Sequence, residues 1–409
     1  MVTVPPVIDD EVEVSGIEEA EITEAPSPTD KVDPDEFFSK NAFRVVYQTN
    51  NFFLPQLKEL ITKGDVLNIR PEYQRRLRWL NPQKSRLIES LLLNVPVPPI
   101  FLYEVEGARY EVMDGQQRLN AIKEFLEGDF ALSGLQVLYP LNGLRYPRCP
   151  PRIKRALDRS SLAAIVLLLE SDSDVILGSS LTVTDIRRFI FDRLNTGGAK
   201  LNAQEIRNAI YPGHFNRAIV EMARLPLFTT TFSIPPYTEA NPNEYYENLE
   251  RQRNSLYSTM GDCQLVLRYF ALKETDNIRG SMKSMLDRAM ESRMSITNDA
   301  ADATKAEFAE RLQLANDIFG PRPFFLPPDE KGRERISAAL YDATLVALDQ
   351  VWQSKDVLRA ASVAIKHRLA EEFTNEESAP ILTGQGNTAQ AVRDRIGLLR
   401  RIMCEGAGL

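Results

Sequence analysis

One stretch decides the fold of the first half of this chain: RYEVMDGQQRLNAIKEFLEG, residues 109–128. Its first five residues have the character of a strand, and Asp114 and Gly115 then interrupt that pattern. Apolar residues follow at helical spacing until Gly128, which is a typical helix stop. The stretch therefore predicts a strand over residues 109–113, a sharp turn, and a helix that opens at Gly115.

The segments around this stretch carry both strand and helix signals. Further strands are predicted at residues 65–69, 100–105 and 162–169, with a tight turn at Glu106-Gly107. One helix begins where Asn81 offers a cap and Pro82 suits a first turn, and it ends by Asn94 and Pro96. Another opens with Asn202 and Glu205, which have the spacing of a capping box.

The second half of the chain is dominated by helical periods, because strand signals fade after about residue 214. These periods cover residues 265–272, 308–319, 336–351, 357–369 and 392–403. The sequence therefore predicts an α+β protein. A mixed α/β domain occupies residues 41–215, and a mostly helical domain occupies residues 216–409.

The acidic charge is concentrated at the start of the chain. Residues 1–36 contain 12 acidic residues and one lysine, a balance of −11 within a total of −8. The rest has 48 basic and 45 acidic residues, or +3, so a phosphate-bearing partner fits it. We expect residues 1–40 to be a disordered acidic tail, which either solvates the chain or imitates the charge of nucleic acid.

Several classes of protein are disfavoured by composition. No apolar run reaches the roughly 18 residues that a membrane helix needs, so we expect no membrane association. The three cysteines are scattered, which suits a reducing cytoplasm better than a disulfide framework. With only His214 and His367, the chain has too few histidines for an HNH nuclease or a histidine-rich zinc site.

The turn at residues 114–118 carries the chemistry that binds an anion. Gly115 lets backbone approach a ligand, and the N–H groups of a helix start favour negative charge. Arg118 adds a planar guanidinium group whose N–H donors suit phosphate oxygens. Gln116 and Gln117 add uncharged donors and acceptors. Asp114 holds a metal ion, orients Arg118 or positions a water. Alternatively, Asp114 caps the helix and Arg118 pairs with a surface acid.

A second cluster, PEYQRRLRW at residues 71–79, combines three arginines with two aromatic rings. Arginines interleaved with aromatics suit phosphate contacts together with base or sugar stacking. The alternative is a solvated loop that Tyr73 and Trp79 anchor in the core, and we expect Trp79 to be such an anchor.

A third segment, Asn195-Thr196-Gly197-Gly198, ends a helix. These residues either form a simple helix stop or place Asn195 and glycine backbone against the same ligand. Spacing alone leaves both interpretations open.

These motifs, in their order, resemble a known family. The set comprises Tyr73-Gln74-Arg75, the Pro-rich residues 95–100, residues 114–118, Phe125 and Asn195-Thr196-Gly197-Gly198. Together they resemble the GmrSD-type N-terminal domain, domain-of-unknown-function family 262, of the ParB/sulfiredoxin-like superfamily, over residues 41–215. Residues 262–272 and 282–286 also resemble a helical extension seen in stand-alone members.

The resemblance implies a nucleotide site, because related ParB proteins bind nucleoside triphosphate at a comparable strand-turn-helix motif. The residues implied in nucleotide binding are Gln74, Arg75, Gly115, Gln116, Gln117, Arg118 and Asn195. Hydrolysis is implied at Asp114, Gln117 and Arg118, with a divalent ion such as magnesium at Asp114. Arg76 and Arg78 are candidates for nucleic-acid contacts.

Family members often restrict modified or phage DNA, and many carry an HNH domain that two histidines cannot supply here. Three functions stay open: a nucleoside triphosphatase in DNA-directed defence, a metal-dependent ParB-like nuclease, and a non-catalytic module switched by nucleotide. The expected partners are nucleotide, DNA, a separate nuclease or defence protein and a second copy of this chain.

Basic residues of the helical half either contact the DNA backbone or form solvated helix faces: Arg279, Lys283, Arg288, Arg293, Arg393, Arg395, Arg400 and Arg401.

Overall fold

The computed structural model describes residues 14–15, 46–63, 66–68, 79–105, 109–168, 186, 189–190, 193, 202–211, 213–240, 245, 248–328, 332, 334–384, 386 and 388–409. By contacts the chain forms two compact units: Ser27–Leu201, and Met1–Pro26 together with Asn202–Leu409. The domain limits at residues 40 and 215 stay predictions. The turn at Glu106-Gly107 and all of the acidic tail except Val14–Ser15 lie outside the described residues.

Strands and helices are numbered here along the described chain. The first unit contains β2 (Val46–Phe53), α1 (Leu54–Lys63), β3 (Leu67–Asn68), α2 (Asn81–Leu92), β4 (Ile100–Val105), β5 (Arg109–Asp114), α3 (Gln116–Glu127), α4 (Pro151–Arg159) and β6 (Ser161–Leu168). The second contains β1 (Val14–Ser15), α5 (Ala203–Ile210), α6 (His214–Met222), α7 (Pro226–Thr231), α8 (Leu249–Arg253), α9 (Ser255–Ser258), α10 (Gly261–Lys273), α11 (Met282–Glu291), α12 (Asn298–Phe319), β7 (Ile336–Ser337), α13 (Ala338–Gln350), α14 (Lys355–Ala360), α15 (Ser362–Thr374), α16 (Ala379–Thr383) and α17 (Ala389–Ala407).

The first unit is built on a mixed five-stranded sheet with the order β2-β6-β4-β5-β3. The β2–β6 and β4–β5 pairs are antiparallel, whereas β6–β4 and β5–β3 are parallel. Together with the helical second unit, this sheet confirms the predicted α+β class. Strand β5 lies between β4 and the short β3, and its last residue, Asp114, is paired with Phe101.

A single hydrophobic core joins the sheet to helices α1, α2, α3 and α4. The predicted apolar face of α3 is confirmed, because Leu119, Ile122, Phe125 and Leu126 are all buried. Each such side chain contributes about 1.5–3 kcal/mol by leaving water. Phe125 also packs edge-on against the ring of Tyr146 at 6.0 Å. The turn before α3 is therefore attached to a helix whose apolar face is packed firmly in the core.

Element boundaries differ from the predictions by one or two residues in the first unit. Asn81 is not the cap of α2: Leu80 takes that position, and its N–H donates to Gln83 Oε1 at 2.9 Å. Asn94, just beyond the end of this helix, has φ = 53°. The helix therefore begins at the predicted Asn-Pro pair but is capped from its own first turn.

The second unit is mainly helical, as predicted. Helix α10 is its centre, and every residue of that helix except Lys273 is buried. The capping box of α5 is confirmed: Glu205 N–H donates to Asn202 Oδ1, and Asn202 N–H donates to Glu205 Oε2, each at 2.9 Å. No helix in the described part of the chain is long and apolar enough to cross a membrane.

Two predicted helical segments of the second unit needed correction. Residues 336–337 form strand β7, which pairs in parallel with β1, so helix α13 starts only at Ala338. The helix predicted at residues 357–369 is interrupted at Ala361, which separates α14 from α15. Periodicity fails in both places because it reports local spacing, whereas a strand pair and a helix break depend on distant neighbours.

Candidate functional site

The turn between β5 and α3 requires glycine. Gly115 occupies the cap position of α3 in the left-handed region, with φ = 98° and ψ = 8°. A Cβ at this position would lie 2.3 Å from Ile100 Cγ2, far inside van der Waals contact. Both the dihedral angle and the space therefore select glycine, and Ile100 is a determinant of the turn that sequence reasoning missed.

The start of α3 has glycine at its N-cap position. Gly115 has no side chain and therefore makes no side-chain hydrogen bond to the first turn. Asp114 is not the N-cap residue, and its carboxylate pairs with Arg118. The first N–H groups of a helix have no intrahelical acceptor, and the helix dipole adds positive potential there. The backbone thus presents donors at the position where Asp114 ends the neighbouring strand.

Arg118 is fixed across this turn. Its Nη2 donates to Asp114 Oδ2 at 2.6 Å and to the backbone oxygen of Pro99 at 3.2 Å. The Arg118 side chain is 15% exposed and that of Asp114 is 45% exposed. The acid that pairs with Arg118 is therefore the last residue of β5 itself. The sequence showed the Pro-rich segment but gave no sign that its carbonyl holds Arg118.

Arg118 also has a donor that the protein leaves unused. Its Nε is buried and has no hydrogen-bond partner among the described residues. A buried donor without a partner costs about 1–3 kcal/mol. An acceptor that reached Nε would recover that cost.

Gln117 behaves in a similar way. Its side chain is buried, with 7% of the residue exposed. Oε1 accepts the backbone N–H of Trp79 at 3.3 Å, whereas Nε2 is buried and has no partner in the described part of the structure. The carbonyl of Gln117 is therefore used by the protein, whereas no described residue offers an acceptor to its amide N–H groups. Gln116, the preceding residue, is buried too.

The described residues nearest the arginine-rich segment contact the strand and the helix that form the turn. Strand β3 pairs with β5 at Tyr110 and Glu111, and Trp79 is bound to Gln117. Trp79 is half-buried and packs against the core, which agrees with its predicted role as an anchor. The other predicted site residues lie outside the described residues: Gln74, Arg75, Arg76, Arg78 and Asn195. Their places in the site stay predictions.

A metal ion would find one carboxylate at this turn. No group of three histidine, cysteine, aspartate or glutamate side chains among the described residues is placed to hold a metal. Magnesium, however, is commonly bound by one or two carboxylates together with substrate phosphates. The half-exposed Asp114 fits that arrangement as a ligand shared with a bound phosphate, and it does not fit a metal site made by protein alone.

Several arginines predicted as possible DNA contacts are engaged within the second unit. Arg395 is buried and donates to the carbonyls of Ile381 at 2.8 Å and Gly384 at 2.7 Å. Arg288 donates to Asn277 Oδ1 at 2.8 Å, and Arg293 pairs with Glu274 at 3.0 Å. These side chains stabilise the fold. Arg279, Lys283 and Arg400 are exposed and stay candidates.

Comparison with known proteins identifies part of the chain. Residues 57–212 match the family model described as GmrSD restriction endonuclease, N-terminal domain. This range starts in α1, includes the strand-turn-helix site and ends just after α5. Neither the curated proteins nor the solved structures give a match.

Proposed function

The chain carries a GmrSD-type N-terminal domain, and from that premise we propose that it is a DNA-acting protein of restriction-type defence that binds a nucleoside triphosphate at residues 114–118. The family description supports the restriction-type, DNA-directed part of this proposal. The nucleotide, its hydrolysis and the DNA contacts rest on the geometry of the turn and on the motifs beside it.

One observation carries the nucleotide proposal: two buried donors to which no described residue offers an acceptor, Arg118 Nε and Gln117 Nε2, belong to the first turn of a helix whose N-cap residue is glycine. Charged and neutral N–H donors beside a helix start are the groups that bind phosphate. These features favour an anionic ligand over a purely structural turn.

The proposed roles follow from donor chemistry. Arg118, with Gly115 and Gln116 backbone and the Gln117 amide, binds phosphate oxygens. Gln74, Arg75 and Asn195, outside the described residues, are proposed to join them. Arg76 and Arg78 are proposed to contact nucleic acid. A divalent ion at Asp114, such as magnesium, supplies charge neutralisation when bound. Phosphoryl transfer depends mainly on positioning and charge stabilisation, so this set supports hydrolysis without histidine.

A non-catalytic, nucleotide-switched module is the second candidate. It is favoured by the pairing of Asp114 with Arg118, which engages the two side chains with each other. In that case the domain binds nucleotide without turnover and changes its affinity for DNA or for a partner protein. A metal-dependent nuclease would instead nick plasmid DNA, and Asp114→Ala would abolish the nicking.

Arg118→Ala is expected to weaken nucleotide binding at least tenfold, because a hydrogen bond to a charged group contributes about 1.5–3 kcal/mol. Calorimetric titration of the four ribonucleoside triphosphates with magnesium measures the affinity. Release of inorganic phosphate in the same samples separates hydrolysis from binding alone. Arg118→Lys is expected to recover only part of the affinity, since lysine lacks the planar fork.

Arg152→Ala is the matched control, because Arg152 is an exposed arginine on α4 of the same unit. It removes the same charge and is expected to leave affinity unchanged. Equal affinity of wild type and Arg118→Ala for every nucleotide would refute the assignment of this site. Binding that needs Arg118 but yields no phosphate would select the non-catalytic module.

A further inference from the structure

We propose that Asp114 acts as an internal competitor of phosphate for Arg118, so that a divalent cation at Asp114 strengthens phosphate binding at Arg118. This inference rests on the proposed function, since it describes the regulation of the same site. It assigns Asp114 a role in the absence of ligand as well as in its presence. This competition depends on which partner of the ion pair is fixed and which is accessible.

Arg118 is the fixed partner. Its Nη2 is held by Pro99 as well as by Asp114, and most of its side chain is buried. Asp114 is half-exposed, and Arg118 Nη2 is the described donor that binds its carboxylate. A ligand or cation from solvent can therefore reach Asp114 while Arg118 keeps its place through the Pro99 carbonyl.

Asp114 satisfies the same groups that a phosphate would satisfy. It places a negative charge beside the N-terminus of α3 and accepts a hydrogen bond from Arg118 Nη2. An incoming phosphate finds this N–H already engaged and meets a like charge next to it. Without a cation, phosphate binding is therefore less favourable, because the ion pair must be lost or distorted when the phosphate binds.

A cation that binds the Asp114 carboxylate reverses both effects. It neutralises the repelling charge, and it draws the carboxylate away from Nη2, which then becomes available to the phosphate. By thermodynamic linkage, a phosphate at Arg118 must raise the affinity of Asp114 for the cation by the same factor. The short strand-turn-helix segment thereby couples two ligands of opposite charge through one side-chain pair.

The test compares wild type, Asp114→Asn and Asp114→Ser, with inorganic tripolyphosphate as the probe and calorimetry as the readout. In EDTA, both variants are expected to bind tripolyphosphate about 2- to 5-fold more tightly than wild type, a range that matches a partly exposed ion pair. In magnesium chloride, this advantage is expected to disappear or to reverse. Complexes of magnesium with tripolyphosphate form equally in every sample, so they cancel in the ratio of variant to wild type.

Asp129→Asn is the charge-matched control, because Asp129 is an exposed acid just beyond the opposite end of α3. It is expected to follow wild type in both buffers. Weaker or unchanged binding by both Asp114 variants in EDTA would overturn the inference and leave the proposed function standing. An equal response to magnesium in wild type and variants would do the same. Absence of tripolyphosphate and nucleotide binding by wild type in both buffers would overturn the proposed function itself.

Discussion

Replacement of Arg268 by methionine is expected to destabilise the second unit by about 3–5 kcal/mol, the usual cost of leaving a buried charge without its partner. Arg268 lies on α10 and is fully buried, and Asp342 lies on α13 with a side chain only 5% exposed. Arg268 Nε donates to both carboxylate oxygens of Asp342, at 3.1 and 2.9 Å, and Nη2 donates to Oδ2 at 2.5 Å. Methionine fills a similar volume but leaves the carboxylate in the core.

The loss is expected to depend on pH with a defined sign. Burial raises the pKa of the Asp342 carboxyl, although the charges of Arg268 and Arg395 oppose that rise. Without Arg268 the folded-state pKa rises further above its unfolded value. The contribution of this group to stability is then fully present below the unfolded pKa and is lost as pH rises through the folded pKa. The deficit of Arg268→Met should therefore be larger at pH 8 than at pH 5.

Urea unfolding of wild type and Arg268→Met at both pH values measures this deficit. The control Lys63→Met breaks the exposed pair with Glu59 on α1 and is expected to change little. The double variant Arg268→Met/Asp342→Leu is expected to recover much of the loss, since apolar pairs replace buried ion pairs well. A deficit in Arg268→Met that is independent of pH would contradict the buried, unpaired carboxylate.

Sequence patterns predicted the elements whose signals are local. Strands β4, β5 and β6 and the apolar face of α3 follow from short runs with clear spacing and from glycines at both ends of that helix. Strand β2 was missed because most of its residues are exposed and its sequence, VYQTNNFF, has no apolar alternation. That strand exists through its eight-residue pairing with β6, more than 100 positions later in the chain.

The site shows the same division between local and distant information. The sequence predicted that Gly115 and Arg118 belong to a turn suited to binding phosphate, because a strand, a glycine and a helix start are adjacent. It left open whether Asp114 caps, coordinates or pairs. The pairing of Asp114 with Arg118 joins residues four positions apart, whereas the contacts that hold the neighbouring side chains, from Pro99 to Arg118 and from Trp79 to Gln117, join residues 19 and 38 positions apart. Such contacts depend on the sheet order, which a single sequence does not specify.

Gly115→Ala is expected to cost the first unit clearly more stability than Gly143→Ala. Both glycines have positive φ, 98° and 85°, so both substitutions carry the left-handed penalty of roughly 1 kcal/mol. A Cβ at Gly143 meets no atom within 4 Å, whereas a Cβ at Gly115 lies 2.3 Å from Ile100 Cγ2. The difference between the two variants therefore isolates the steric clash, which for an overpacked core adds about 1–3 kcal/mol.

The same pair of variants separates stability from function. Relief of the clash must move Ile100, at the start of β4, or the turn itself, and Pro99 precedes Ile100 directly. Either movement shifts the carbonyl or the backbone that positions Arg118, so Gly115→Ala should also lose tripolyphosphate affinity at temperatures where it is still folded. Gly143→Ala should keep that affinity. Equal stability and equal affinity in the two variants would mean that the close approach of Gly115 to Ile100 does not shape the site. Stability loss without loss of affinity would place the ligand away from this turn.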